Sequence, residues 1–404
     1  MLRQQENDAF DLLRRMVAIN SFTNNPAGVD ALGKMTAEAF AELGFTAEQV
    51  PIAKDGFGPH LVLERPGKDE NAPQVGLVSH LDTVYPEEEE ERHDFRWRED
   101  GDRIYGPGTV DIKGGTVVIF MVLDALRRVV PEVFESVHWV ILMNAAEEQL
   151  ELSFGDLCRE RLDPQRTRAC LIFEGALLEP GNKHRVVVAR KGMGVFRVTT
   201  EGRASHAGNG HHHGANAILQ MADVVREIES WTDPKRAITF NVGVIEGGSV
   251  INQVPPSAMI ELEMRTFAED VFNDGKSKVL GLRDLSTVSA VSDGFACKVH
   301  VDVLSETDPW PRNEKSDQLL AVWQEAAAAL GMEAVPEERG GLSDGNQFWN
   351  HVPTLDGMGP SGGNAHSPEH SDDGSKEQEY ATRSSFVPRA LLNTVAILRL
   401  LGHS

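Results

Sequence analysis

The stretch VGLVSHLDTV, residues 75–84, is an apolar run that stops at a histidine and, two residues on, an aspartate. Three more runs share its texture, His60 to Leu63, Val137 to Met143 and Ala169 to Phe173, and a helix-like stretch from Thr116 to Val130 separates two of the four. Short apolar runs alternating with helices are the sequence form of a buried, largely parallel sheet. In such sheets ligands collect beyond the carboxyl ends of the strands, so the residues that follow each run are the ones to inspect. Ahead of the sheet, residues 1–20 read as an amphipathic helix and Ala31 to Leu43 as a second, stopped by Gly44.

From about Gly192 the texture changes. Val195 to Thr199 alternates as a half-buried strand, Gly214 to Glu229 reads as a helix, and Ile238 to Ile245 and Ala258 to Met264 as strands. A helix near Asp270 to Gly281 and a strand at Lys298 to Leu304 complete a ferredoxin-like order. The chain then returns to a long helix, Ser316 to Leu330, Gly-rich loops and a last helix, Pro388 to Leu401. The expected organisation is an α/β domain from residues 1–191 and 307–404, interrupted by an α+β domain of residues 192–306 with glycines at the junction to permit a hinge. A chain of 404 residues has room for both.

The formal charge of −23, from 62 acidic and 39 basic residues, argues against nucleic acid, whose phosphates need clustered Lys and Arg. The three cysteines, Cys158, Cys170 and Cys297, are odd in number and lack C-x-x-C spacing, so neither a disulfide framework nor a thiolate metal site is expected. No apolar run approaches a membrane span, and the start does not read as a signal peptide. The expected setting is cytoplasmic.

Read alone, His80 and Asp82 are better explained as a capped strand end, although a carboxylate two residues from a metal-binding histidine can fix its tautomer. YGPGTVDIKGG, residues 105–115, leads into a helix, but its spacing matches neither phosphate-binding glycine pattern. What remains is Asp111, presented on a tight turn where two cations could share it. Glu147 and Glu148 follow the third strand; adjacent carboxylates repel unless a cation neutralises one and a proton the other. That division makes Glu148 a ligand and Glu147 a general base. By itself such a pair is usually a solvated loop or helix start. Glu174 follows the fourth strand, and His366 lies in GGNAHSPE, residues 362–369. His80, Asp111, Glu148, Glu174 and His366 together have the imidazole and carboxylate composition of a catalytic zinc site.

In this order the motifs SHLDTVY, GPGTVDIKGG, the Glu-Glu pair, IFEG, GRASHAG, INQVPPSA and AHSPE resemble the M20 metallopeptidase family, which contains glutamate carboxypeptidase, aminoacylase-1, acetylornithine deacetylase and succinyl-diaminopimelate desuccinylase. Glutamate carboxypeptidase is the nearest likeness. The resemblance implies a mostly parallel-sheet dinuclear zinc peptidase domain with an inserted ferredoxin-like lid and dimerisation domain. Asp111 would bridge two Zn2+, with His80 and Glu174 on one and Glu148 and His366 on the other; Co2+ and Mn2+ accept similar ligands. Asp82 would orient His80, Glu147 would act as base, and Asp111-Ile112 would be a cis peptide. His206 would steady the oxyanion, Asn252 would meet the substrate, and Arg265 would grip its carboxylate. A homodimer through residues 192–306 is also implied.

The implied activity is hydrolysis of a peptide or N-acyl amide bond next to a free carboxylate, releasing an amino acid. The alternatives are a deacylase of an acetylated or succinylated diamino acid, a non-catalytic binding protein on the same fold, and a cysteine hydrolase using Cys158. Three features depart from the family pattern. Residues 149–153, QLELS, replace the usual Gly-Ser turn after the pair; His211 to His213 have no family role; and TDPWPR, residues 307–312, is less basic than its counterpart. His211 to His213 and the acidic run Glu87 to Glu91 read as solvated loops.

Overall fold

The computed structural model describes all residues except 1, 3–5, 150, 180, 181 and 404, so part of the amphipathic start and Leu150 lie outside the described residues. The chain forms two compact units, residues 1–188 with 312–338 and 343–404, and residues 189–311 with 339–342.

Aliphatic strands build the first unit. Gln74–His80 is buried at every position, and His138–Asn144 at all but its first. The sheet order is Thr46–Val50, His60–Arg65, His138–Asn144, Gln74–His80, Thr167–Ile172 and Thr354–Leu355. The last four strands pair in parallel, and the first two join antiparallel at one edge. The fold is therefore α/β with a mostly parallel central sheet. Register decides the rest: His80 lies opposite Asn144, and Val78 opposite Ile172. Three strands thus end level, and the residues just beyond them lie at one end of the sheet.

The helices Glu6–Val17, Lys113–Val129 and Phe386–Leu400 contribute to one core with the sheet, including Phe10, Leu123, Trp139, Ile141 and Phe386. Each large apolar side chain buried there is worth about 1.5–3 kcal/mol. Buried indoles find acceptors: Trp139 donates to the Phe134 carbonyl at 2.8 Å and Trp323 to Asn393 at 3.0 Å. Lys113–Val129 approaches the strand end carrying Glu174 so closely that a Cβ on Gly115 would stand 2.0 Å from the Phe173 carbonyl oxygen. Only glycine fits there.

In the second unit the strands Gly192–Glu201, Thr239–Gly247, Ser257–Thr266 and Lys298–Thr307 form an antiparallel sheet. Its order is Thr239–Gly247, Ser257–Thr266, Gly192–Glu201, Lys298–Thr307, with helices Ala217–Glu229 and Glu269–Gly281 in the connections. Phe196, Val224, Ile260, Phe272 and Val301 belong to a separate core. Ser257–Thr266 alternates between buried and outward positions, as a strand covered on one face must. Among the described residues no helix is long and apolar enough to cross a membrane. The acidic run is a short helix, Glu87–Arg92, rather than a loop, and Glu90 accepts a hydrogen bond from Asn20 at 2.9 Å.

Candidate metal centre

Beyond the level strand ends the first unit gathers His80, Asp111, Glu148, Glu174 and His366. His80, Asp111 and Glu174 offer one set of ligand atoms within 4.8 Å of one another, and Asp111, Glu148 and His366 another. Asp111 divides itself between them: Oδ1 lies 3.1 Å from His80 Nε2, and Oδ2 lies 3.3 Å from His366 Nε2. His366 Nε2 is also 3.2 Å from Glu148 Oε2, and His80 Nε2 is 3.9 Å from Glu174 Oε1. Ligands bonded to zinc at about 2.0–2.1 Å in a tetrahedron stand roughly 3.3 Å apart. Three of the four separations match that edge, so the donor set fits two cations sharing Asp111.

Local structure delivers each ligand. The Asp111-Ile112 peptide is cis, and the helix Lys113–Val129 begins immediately after it. His366 has φ 65°, in the left-handed region that histidine enters infrequently. His80 Nδ1 lies 3.0 Å from the Asp82 carbonyl oxygen and 3.4 Å from its Oδ1, so Nδ1 carries the hydrogen and Nε2 is turned to Asp111. Asp82 does more than orient that ring. It accepts from the Glu147 and Glu148 amides at 3.1 and 3.2 Å and from the Thr23 hydroxyl at 2.8 Å, fixing the 3₁₀ turn Glu147–Gln149.

Opposing effects set the protonation of the cluster. Burial disfavours a charged His80, but the carboxylates of Asp111 and Asp82 outweigh it and hold the ring well above the usual imidazole range. Hydrogen bonds to Asp111 and Glu148 push His366 up to about 11. Burial would raise Asp111, yet its two histidines pull it below the carboxylate range. Glu147 is driven well above that range by burial, with Asp344, Glu174 and Glu148 adding to the effect and His80 opposing it. Glu147 joins His80 and Glu148 in a third cluster, so the expected base stands beside the ligands.

Glu151 and Ser153, in the departing segment after the pair, are tied down. The Ala145 amide donates to His60 Nδ1 at 3.2 Å, which leaves the hydrogen on Nε2, 3.2 Å from the Ser153 hydroxyl. Glu151 accepts from that hydroxyl at 2.5 Å and from the Ser153 amide at 2.9 Å. Cys158 is buried, and burial pushes its thiol well above the ordinary range, which disfavours a thiolate nucleophile.

His206, Asn252 and Arg265 belong to the second unit. His206 pairs with Gln253, and the Ala207 amide donates to the Asn252 carbonyl at 2.9 Å, so GRASHAG and INQVPPSA lie side by side. The exposed His206 ring accepts from the Gly208 and Asn209 amides at 3.0 and 3.1 Å. Arg265 pairs with Glu263 at 3.0 Å and donates to the Gly340 carbonyl at 3.2 Å. His211–His213 forms a 3₁₀ turn.

Sequence reasoning missed Thr23, Asp344 and Glu379. Asp344 is buried, accepts from Asn144 at 2.7 Å, and is pushed by burial to about 7. Glu379, also buried, is moved to about 7 by burial and then by the charge of Asp111. The Gly-rich surroundings of Asp344 were the one available signal; Glu379 offered none.

Residues 76–393 match the family described as Peptidase family M20/M25/M40, and the chain belongs to it. It is therefore a hydrolytic enzyme of a metal-dependent peptidase and amidohydrolase family. Carboxypeptidase G2 of Pseudomonas sp. is 27% identical over 395 residues, covering 96% of this chain and 88% of that protein. An acetylornithine deacetylase of Salmonella arizonae is 26% identical over 282 residues, 65% of this chain and 69% of its own. The aminopeptidase PepT structure from Bacillus cereus superimposes with a TM-score of 0.75 at 19% identity, covering 98% of this chain and 99% of that one.

Proposed function

We propose that the protein hydrolyses a peptide or N-acyl amide bond beside a free carboxylate and releases an amino acid, with two zinc ions in the centre built on Asp111. The observation that carries this reading is the division of Asp111, one oxygen toward His80 and the other toward His366, with Glu147 alongside. When bound, the metal pair would polarise the scissile carbonyl and lower the pKa of a water toward about 7. The remaining chemistry is the protein's own. His80 and Glu174 would hold one cation, Glu148 and His366 the other. Asp82 fixes the His80 tautomer and the turn bearing Glu147. The Glu147 carboxylate takes a proton from the attacking water and returns it to the departing amine nitrogen, the double duty of a general base.

His206 is assigned the oxyanion, Asn252 a contact with the substrate and Arg265 the substrate carboxylate; the pairing of the His206 and Asn252 segments supports grouping those two. For Arg265 this requires sharing its guanidinium with Glu263. The second unit would act as lid and homodimer contact. Thr239–Gly247 is an edge strand whose Val244 and Ile245 are exposed, a surface suited to a second copy.

The test is a panel of C-terminally varied dipeptides and N-acyl amino acids assayed on protein whose metal content is measured on the same sample. Release of an amino acid with two bound metals per chain is expected. Turnover confined to acetyl- or succinyl-diamino acids would favour the deacylase reading. Two bound metals without turnover of any amide would sink both.

A further inference from the structure

We infer that Glu379 is a positioning residue of the metal centre, one buried carboxylate that ties together the three segments carrying His80, Asp111 and His366. This rests on the metal-binding reading proposed above and adds the element that holds the site in shape. Glu379 is 0% exposed. Its Oε1 accepts from the backbone amides of Val110 and Asp111 at 2.9 and 3.1 Å, and its Oε2 accepts from the Tyr85 hydroxyl at 2.7 Å. Its own amide donates to the Ser367 carbonyl at 2.8 Å, one residue from His366. Tyr85 ends the same SHLDTVY run that His80 begins near its start, and it too is buried.

Glu379 thus touches each of three ligand-bearing segments, two of them more than 260 residues away in the chain. A carboxylate is an unfavourable choice for a buried linker, because it is desolvated and lies near the negative Asp111. The geometry gives it a use. The two amides it accepts belong to the turn that aims Asp111 Oδ1 at one histidine and Oδ2 at the other. Without an acceptor those amides would seek another partner, and the turn would rotate the bridging carboxylate with them.

The experiment measures zinc affinity of the metal-stripped full chain by competition with a chromophoric chelator, with denaturant unfolding followed in parallel. The variants are E379A, E379D, E379Q and Y85F. The glutamine oxygen can accept both amides while its NH2 donates to the tyrosine oxygen, so E379Q is expected to bind zinc within about threefold of wild type, whereas E379A and the shorter E379D lose about 10–100-fold, the usual effect of removing a group that orients a ligand. Y85F, which removes one of the three side-chain bonds, falls between. E379A or E379D binding as tightly as wild type would overturn the inference, as would E379Q falling as far as E379D. If E379A does not fold, E379D against E379Q decides. Wild type that binds no zinc would refute the metal centre itself, a result distinct from equal affinities across the series.

Discussion

Glu147→Gln exchanges one oxygen for an amide nitrogen and leaves the side-chain volume nearly unchanged, so it isolates the proton transfer. Glu147 lies half-buried in the cluster with His80 and Glu148, and the charges of Asp344, Glu174 and Glu148 all oppose its ionisation. A positioned general base contributes about 10²–10⁴-fold, or about 3–5.5 kcal/mol of barrier, and kcat should fall by that factor. Metal stoichiometry should hold, because the ligand sets formed by Asp111 with Glu174 and with Glu148 remain complete. Stability should hold or rise, since the cost of burying an ionisable carboxyl disappears. The assay combines kcat on the best substrate of the panel, metal content and a urea midpoint. A kcat within tenfold of wild type would refute the assignment of the base. A variant that lost metal would show instead that Glu147 is a ligand.

Asp82→Ala strips the acceptor from the Thr23 hydroxyl and two backbone amides, each worth about 1–3 kcal/mol when left unpaired. Urea unfolding should show a loss of about 3 kcal/mol or more, and chelator competition a 10–100-fold weaker metal site; unchanged values in both would contradict the role given to Asp82. Gly115→Ala drives a methyl group into the Phe173 carbonyl and should cost about 1–3 kcal/mol with weakened metal binding, read by the same pair of measurements. Burial lowers His60 from 6.5 to about 4 in the folded chain, with Glu151 and Asp82 opposing, so the unfolded state binds the proton first. The stability this supplies is complete above pH 6.5 and is lost as pH falls from there through 4, the loss reaching roughly 2 kcal/mol at pH 5. Wild type should lose that much more than His60→Gln between pH 7 and pH 5; parallel curves would exclude it.

The strands were legible because each is a short apolar run closed by a polar residue, and the five candidate ligands because each follows a run or sits in a glycine-rich loop. Periodicity also exposed the ferredoxin-like order of the second unit. What escaped depends on partners far along the chain. Nothing near Glu379 in sequence announces that it meets Tyr85 and Val110, and Thr23 gains significance only where it touches Asp82. The acidic run misled for a related reason. Consecutive glutamates suggest solvation, yet Asn20 and the buried Lys113 give Glu90 polar and charged company inside the fold. A guanidinium expected to grip a substrate has its own carboxylate neighbour, Glu263, a pairing two residues apart that a strand's alternation permits but does not require.

The order in which ligands occur along the polymer has a consequence for biosynthesis. Residues 80, 111 and 174 leave the ribosome early, while the histidine proposed to complete the other half of the centre is numbered 366. At about 5–20 residues per second, roughly 10–40 s separate the two events. On the proposed function the nascent chain would, during that interval, offer three candidate ligands before the remaining histidine exists, so the metal pool it meets during translation, and not only the affinity of the finished protein, would help decide which ion is installed.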